Sequence, residues 1–471
     1  MTPLSRRRFL KHTAASVAAA GLIPQWARAA AAPKPNVVLI VMDDGGYGDI
    51  GSYGGPDIRT PNIDSLARDG ARLTDFYANG PSCSPTRAGL ITGRYQQRVA
   101  IEAPFLNPSS SEEVGLPVTG RALPQLLRNN GYATALVGKW HLGYKPEFSP
   151  NRHGFDYFYG FKAGYIDYYQ HTNGDGRPDF FENDQPVTRE GYMTDLITDR
   201  SVKFINDSGS KPFFLEISYN APHWPYQVPD MPSTAIDHAR HLQPNDSPGP
   251  TRAEYVAMFE RADRGVGQIL AALAQRGLAD NTIVIYTHDN GGEWLSRNAP
   301  LFNRKQTVWE GGIRVPLLVR WPGRIQAGTV SGQVGITMDL SASVLAAAGV
   351  TIPPGPGLEG IDLLSILAGR SAGRDRTLFW RITGVINQRA VRSGDWKLVV
   401  DGASSLLFNV RSDVGERNDL TSQRQDIVRQ LRPLLDAWEA DVDAEAKANG
   451  TVEYNRRRPA PAAQPAPART G

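Results

Sequence analysis

Cysteine is nearly absent from this 471-residue chain: there is one, Cys83. A single thiol makes no internal disulfide and no Cys-rich zinc or iron–sulfur site, so any metal must be held by oxygen or imidazole. Long apolar runs are missing too. The weakly apolar stretch from Ala14 to Ile23 is too short to span a membrane, and nothing later approaches a span. Excess charge of one sign is also absent. The formal charge of +3 includes five basic side chains and no acidic one within residues 1–29; without them it is −2. That balance gives no support for a nucleic-acid partner. No internal repeat is visible. At 41% hydrophobic and 21% charged, the composition excludes a disordered chain, a collagen and a coiled coil. The length allows a large core or two domains.

The basic N-terminus reads as an address. Ser5-Arg6-Arg7-Arg8-Phe9-Leu10-Lys11 resembles the bacterial twin-arginine export motif, and Ala27-Arg28-Ala29 offers an A-x-A cleavage site. The alternative is an amphipathic tail. The export reading implies a signal peptide over 1–29, a twin-arginine translocase as partner, no stable membrane anchor, and a periplasmic or secreted bacterial protein. Twin-arginine export carries folded cargo, so the chain would fold in the cytoplasm first.

Apolar, β-branched runs at Asn36–Met42, Thr134–Val137, Pro212–Ser218, Thr282–Tyr286 and Val315–Arg320 read as buried strands. Helical periodicity lies between them, most clearly at Ile63–Gly70, Leu123–Asn130, Thr194–Ile205 and Tyr255–Arg276. The alternation predicts an α/β fold: a large, mostly parallel sheet sandwiched by helices, over residues 33–372. After about residue 375 short strands at Phe379–Ile386, Gln388–Arg392, Trp396–Val400 and Leu406–Val410 precede a helix at Asp426–Ala444. These predict a smaller C-terminal α+β subdomain over 373–450. Residues 451–471, rich in Arg, Pro and Ala, predict a disordered tail.

Four strands run directly into chemistry. Val37–Met42 meets Asp43-Asp44-Gly45, and Ile283–Tyr286 meets His288-Asp289-Asn290-Gly291. Phe213–Ser218 leads to Asn220-Ala221-Pro222-His223, and Ala135–Val137 to Gly138-Lys139-Trp140-His141. In open α/β sheets ligands bind at the carboxyl ends of strands. Any one of these fragments has a bland reading, such as an Asx-capped turn or a solvated lysine. Lys139 and His141 are one residue apart, so an extended strand would point both to one face.

Cys83-Ser84-Pro85-Thr86-Arg87, continuing to Thr92-Gly93-Arg94, is the decisive stretch. Ser84 suits an N-cap and Pro85 the first helical position. Cys83 then sits at a helix N-terminus, which favours anions, and Arg87 adds a bidentate cation one turn on. On local physics alone, a buried free thiol explains Cys83 equally well.

The stretch resembles the C-x-P-S/T-R…T-G-R signature of type I, formylglycine-dependent sulfatases of the alkaline phosphatase superfamily. Thr86 stands where serine is commoner and keeps the hydroxyl. Gly138-Lys139-Trp140-His141-Leu142-Gly143, Ala221-Pro222-His223, and Lys305 ahead of Glu310-Gly311-Gly312-Ile313-Arg314 also resemble elements of that family, in its order. The resemblance implies a sulfuric ester hydrolase in which a maturation enzyme converts Cys83 to formylglycine. It implies one divalent cation held by Asp43, Asp44, residue 83, Asp289 and Asn290. Three carboxylates and an amide oxygen suit Ca²⁺, or Mg²⁺, rather than zinc. It implies attack by a hydrated residue 83 on sulfur, through a covalent sulfate ester. His223, with Lys305 nearby, would protonate the leaving alcohol, and His141 would deprotonate residue 83 to release sulfate. Arg87, Lys139 and Lys305 would neutralise charge. Glu310 and Arg314 read as a structural ion pair.

Gly154–Gly160 through His171, and Pro225–Pro229, resemble segments of arylsulfatase B-like and other carbohydrate sulfatases. Tyr165, Tyr168, His171, Trp224 and Trp294 are candidates for an aromatic wall beside a sugar ring; the alternative is that they pack loops onto the sheet. A sulfated sugar is the leading substrate class, with an aryl sulfate as a serviceable substitute. Two rival readings use the same residues: a phosphodiesterase or phosphonate monoester hydrolase, and a non-catalytic sulfated-glycan-binding protein in which Cys83 stays a thiol.

Overall fold

Seven consecutive residues, Asn36–Met42, have every side chain buried, as only a central strand covered on both faces allows. They form β1 in a computed structural model that describes residues 33–105, 107–111, 113–230, 250–383 and 386–451. The signal peptide expected at 1–29, and the expected tail beyond Thr451, lie outside these residues.

The strands that follow are β2 (Ala71–Leu73), β3 (Phe76–Tyr77), β4 (Ala133–Lys139), β5 (Tyr157–Phe161), β6 (Phe181–Glu182) and β7 (Gln185–Pro186). Next come β8 (Phe213–Ser218), β9 (Thr282–His288), β10 (Leu317–Arg320), β11 (Thr329–Ser331) and β12 (Gly335–Ile336). Ten of them make one sheet, in the order β11-β2-β10-β9-β1-β8-β4-β5-β6-β7, and β3 pairs with β12 beside it. At the centre β9, β1, β8 and β4 are adjacent and mutually parallel, with Val38 registered to Leu215 on one side and Val284 on the other. Their four carboxyl ends therefore line up along one edge. The run expected at Val315–Arg320 is a strand, β10, but it is antiparallel to β9 and β2.

Side-chain alternation along β1 divides the core. Val37, Leu39 and Val41 pack with Leu90, Leu127 and Val344, from helices Cys83–Thr92, Leu123–Asn129 and Met338–Ala347. Val38 and Ile40 pack on the opposite face with Ile63, Ile197 and Val266, from helices Pro61–Arg68, Met193–Asp207 and Arg252–Gln275. The last helix starts three residues before the expected Tyr255 because Thr251 and Glu254 form a capping box.

The C-terminal strands β13 (Thr377–Ile382), β14 (Gln388–Ser393), β15 (Trp396–Asp401) and β16 (Ser404–Asn409) form an antiparallel sheet. Helix Gln425–Ala448 packs on it. Its apolar cluster of Trp380, Val391, Leu398, Leu407 and Leu435 also takes in Tyr77, Tyr95 and Val308 from earlier in the chain. Among the described residues no helix is long and apolar enough to cross a membrane.

Candidate active site

Because β1, β8, β4 and β9 end side by side, their polar extensions meet in one buried cluster. After β1 the chain turns sharply: Asp44 adopts φ +64°. The His288 ring lies under that turn, with Nδ1 2.7 Å from the Gly45 carbonyl and Nε2 2.8 Å from the Tyr286 hydroxyl. A Cβ on Gly45 would lie 2.5 Å from this ring, so the position needs glycine. His288 thus holds the turn and faces away from the chemistry.

Lys139 donates to Asp43 at 2.6 Å with both side chains fully buried. Lys305 donates to Asp44 at 2.7 Å, and His223 Nε2 lies 3.5 Å from the same Asp44 oxygen. Arg87 grips Asp289 through Nε at 3.2 Å and Nη2 at 2.9 Å. It also donates to the Lys139 carbonyl and the Ser218 hydroxyl, tying β4 and β8 to the helix that carries Cys83. Asn290 donates to Asp44 Oδ1 at 2.7 Å, and the Asp44 amide to Asp289 Oδ1 at 3.4 Å. Cys83 Sγ lies 3.7 Å from Asp43 Oδ1.

Cys83 is the first residue of helix Cys83–Thr92 and its N-cap is Ser82, not Ser84. The Ser84 hydroxyl instead accepts the Phe105 amide at 3.1 Å. Thr86 donates to the Gly80 carbonyl at 2.7 Å and accepts the Gly80 amide, bracing the loop before Cys83. Arg94 lies outside the cluster and pairs with Glu445 on the C-terminal helix, 2.9 Å through Nη2.

Lys139 and His141 do not share a strand face. β4 ends at Lys139, and His141 has φ +56°, in the left-handed region. The turn swings its ring so that Nε2 lies 3.0 Å from the Phe105 carbonyl. A carbonyl only accepts, so Nε2 carries the proton; Nδ1 is left as a buried lone pair with no partner.

Burial sets the electrostatics. It pushes the Cys83 thiol up to about 12. It drives His223 down to about 3, against the pull of Asp44. Burial and then the neighbouring carboxylate of Asp289 raise Asp43, with Lys139 opposing. Burial works against the charges of Asp44 and Lys305, yet each is held charged by the other. Glu293, half-buried, is raised by burial against Lys305, with Asp44 beside it. Glu293 and Ser218 join the cluster without a motif in the sequence to mark them; a side chain that meets the site from a loop or a strand face carries no local signature.

The atoms able to ligate a metal in Asp43, Asp44, Cys83 and His223 all lie within 4.8 Å of one another. His223 was not in the expected metal set. Asn290 Oδ1 is buried and unpartnered, its amide nitrogen already spent on Asp44 and on the Gly291 carbonyl. An unclaimed oxygen beside crowded carboxylates fits a hard cation.

The match to known proteins decides the family. Residues 35–350 fit the sulfatase family model, and residues 300–441 the model of the N-sulphoglucosamine sulphohydrolase C-terminal region. The chain belongs to the sulfatase family. It is a sulfuric ester hydrolase. It is 36% identical to N-acetylgalactosamine-6-sulfatase of Mus musculus over 75% of this chain and 70% of the relative. It is 32% identical to arylsulfatase G of Mus musculus over 88% of each. The solved structure of Ps i-CgsB in complex with k-i-k-neocarrahexaose superposes with a TM-score of 0.79 at 30% identity, covering 90% of this chain and 97% of that one.

Of the aromatic residues expected to wall this sulfatase's site, two pack instead. Tyr168 is 1% exposed and donates to the Asn220 and His223 carbonyls. His171 is buried with Nε2 3.1 Å from the Gly191 carbonyl. Gln227 donates to Asp167 at 3.0 Å and accepts the Tyr168 amide at 2.7 Å, so the two segments singled out in sequence brace each other. Tyr165 lies parallel to the His223 ring at 6.1 Å and contacts Trp224 at 4.0 Å. Trp294 is exposed. Glu310 and Arg314 form the expected structural pair, at 3.0 Å.

Proposed function

We propose that this sulfatase hydrolyses a sulfate monoester on a carbohydrate, with Cys83 converted to formylglycine as nucleophile and one Ca²⁺ at Asp43, Asp44, residue 83, Asp289 and Asn290. The observation that carries the reading is the closed cluster joining the Cys83 position to two lysines, an arginine, two histidines and three carboxylates. When bound, the cation supplies Lewis-acid stabilisation of sulfate oxygen charge. The hydrated aldehyde supplies one hydroxyl to take the sulfuryl group and a second whose deprotonation expels sulfate and restores the carbonyl.

The chain's own residues account for the rest. Lys139 and Lys305 present ammonium groups to the anionic ester, and Arg87 fixes Asp289. The His223 Nδ1–H donates to the Trp224 carbonyl at 2.6 Å, which turns Nε2 inward. An incoming sulfate anion raises the pKa of this ring, so Nε2 gains a proton and hands it to the departing alkoxide. The bare Nδ1 of His141 suits the role of base toward residue 83. The names of the relatives support a sulfated-sugar substrate, as does the Tyr165–Trp224 pair beside His223.

Around this centre we place a catalytic domain at 33–372 and a C-terminal subdomain at 373–450. A twin-arginine signal at 1–29 would send the protein to the periplasm or beyond through the translocase, after a maturation enzyme has acted. The test is a mass spectrum of the peptide containing residue 83 from protein made in its own host, paired with turnover of 4-nitrophenyl sulfate. Formylglycine and sulfate release are expected. A thiol at full occupancy, or turnover of a phosphate diester far above that of the sulfate, overturns the reading.

A further inference from the structure

Loop 291–305 joins β9 to the lysine of the site, and both its ends carry a charged residue into the cluster. Near its start Glu293 lies beside Asp44 and Lys305; at its end Lys305 reaches Asp44. The very next residues on each side, Trp294 and Arg304, turn toward each other. The Arg304 guanidinium carbon stands 3.3 Å from the Trp294 ring centroid. Trp294 is 57% exposed, the most exposed large aromatic residue among those described. Arg304 makes no ion pair with a carboxylate and no side-chain hydrogen bond among the described residues, although its charge reaches Glu293.

Arg417 is held in the same way over Phe302, 4.9 Å from its ring centroid, but only Arg304 of the two adjoins Lys305 in the chain. Arg87, the arginine inside the cluster, is by contrast locked to a carboxylate, Asp289. A guanidinium held by an aromatic face keeps its N–H donors free while losing much of its conformational freedom. The indole anchors it and leaves apolar surface exposed. A guanidinium with free donors, one residue from Lys305 and within electrostatic reach of Glu293, suits an oxyanion that the catalytic cluster does not itself hold.

We propose that Arg304, held by Trp294, is a specificity-determining residue that binds a second anionic group, a sulfate or a carboxylate, on the sugar unit next to the one whose sulfate is cleaved. The substrate class is then a multiply charged glycan rather than an isolated monosulfated sugar. The proposal rests on the sulfate-ester reading of the site. It adds a preference that reading does not require.

The experiment uses the mature enzyme and competitive inhibition of 4-nitrophenyl sulfate turnover. The probes are neocarrabiose bearing one sulfate and neocarrabiose bearing a second sulfate on the adjacent ring. Wild type should bind the doubly sulfated probe more tightly. Arg304→Gln should weaken that probe by about tenfold, the loss of roughly one charge-assisted hydrogen bond. It should leave the singly sulfated probe and 4-nitrophenyl sulfate turnover within about twofold, within the spread of surface substitutions. Arg304→Lys, which keeps charge but not the fork, should fall between the two. Equal effects on both probes, or no preference in wild type, overturn the proposal. Absence of aryl sulfate turnover in wild type is a different result and strikes the sulfatase reading itself.

Discussion

The Glu310 carboxylate and the Lys397 ammonium lie 2.9 Å apart with both side chains wholly buried. Lys397 also holds Glu416 at 2.9 Å, and Glu310 accepts from Arg314 and Tyr77. The pair joins the C-terminal sheet to the segment that follows Lys305. Replacing Lys397 by Met leaves Glu416 without its ammonium partner and takes one of three partners from Glu310, and should cost about 3–5 kcal/mol of stability. Urea denaturation followed by fluorescence measures it. A loss below about 1 kcal/mol, the size expected of an exposed pair, would show that the network contributes little.

Cys83→Ala should give a folded protein with almost no 4-nitrophenyl sulfate turnover. Cys83→Ser should be nearly as inactive in steady state: a serine hydroxyl can accept the sulfuryl group, but it has no second hydroxyl to expel it. Single-turnover assays separate the two, since only the serine variant should release alcohol once per enzyme. Sustained wild-type turnover in either variant refutes the proposed chemistry.

Lys305→Ala removes the only ammonium hydrogen-bonded to Asp44 among the described residues. Loss of one such electrostatic group should lower kcat by about 10²–10³. The fold should survive, because Asp44 keeps Asn290 as a donor at 2.7 Å and His223 beside it. Near-normal kcat would remove Lys305 from the charge-neutralising set.

Calcium should stabilise the wild-type protein, by about 2.7 kcal/mol when the free ion is a hundredfold above its Kd. Chelation should lower Tm and abolish turnover together. Asn290→Leu, which deletes the unpartnered buried oxygen, should blunt the rise in Tm with added calcium. A rise equal to that of wild type would remove Asn290 from the ligand set.

His153 gives a pH dependence with a defined sign. It is buried against Trp140, and burial pushes its pKa down to about 4. In the unfolded chain its value returns to about 6.5. Between these values the unfolded chain binds the proton and the folded one does not. Stability should therefore fall as pH drops from about 6.5 to about 4, by up to about 1.4 kcal/mol per unit. His153→Gln should flatten that limb in urea titrations at stepped pH; an unchanged slope excludes His153 as its source.

What could be read in the sequence was local. β-Branched runs that stop at polar residues mark β1, β4, β8 and β9, because a strand buried on both faces disfavours those groups, Glu216 in β8 excepted, until it emerges at the sheet edge. What could not be read was set by distant partners. Ser84 looks like a cap until the Phe105 amide claims its hydroxyl, 21 positions away. His141 looks like a strand residue until the backbone turns left-handed. Tyr168 looks like a sugar contact, yet its hydroxyl is spent on two carbonyls more than fifty residues on. Glu293 gave no signal, because a glutamate in a glycine-rich loop is ordinarily solvated.

Cys83, Ser84, Pro85, Thr86 and Arg87 are all buried, and the thiol is additionally reluctant to ionise. In the finished fold no second protein can grip that pentapeptide. Any enzyme that remodels residue 83 must meet it as open chain, so the helix beginning there acts as a deadline. A slow-folding variant would widen the opportunity and raise the converted fraction. A variant that folds faster would seal in more untouched thiol, making active yield a race between catalyst and collapse rather than a matter of thermodynamic stability.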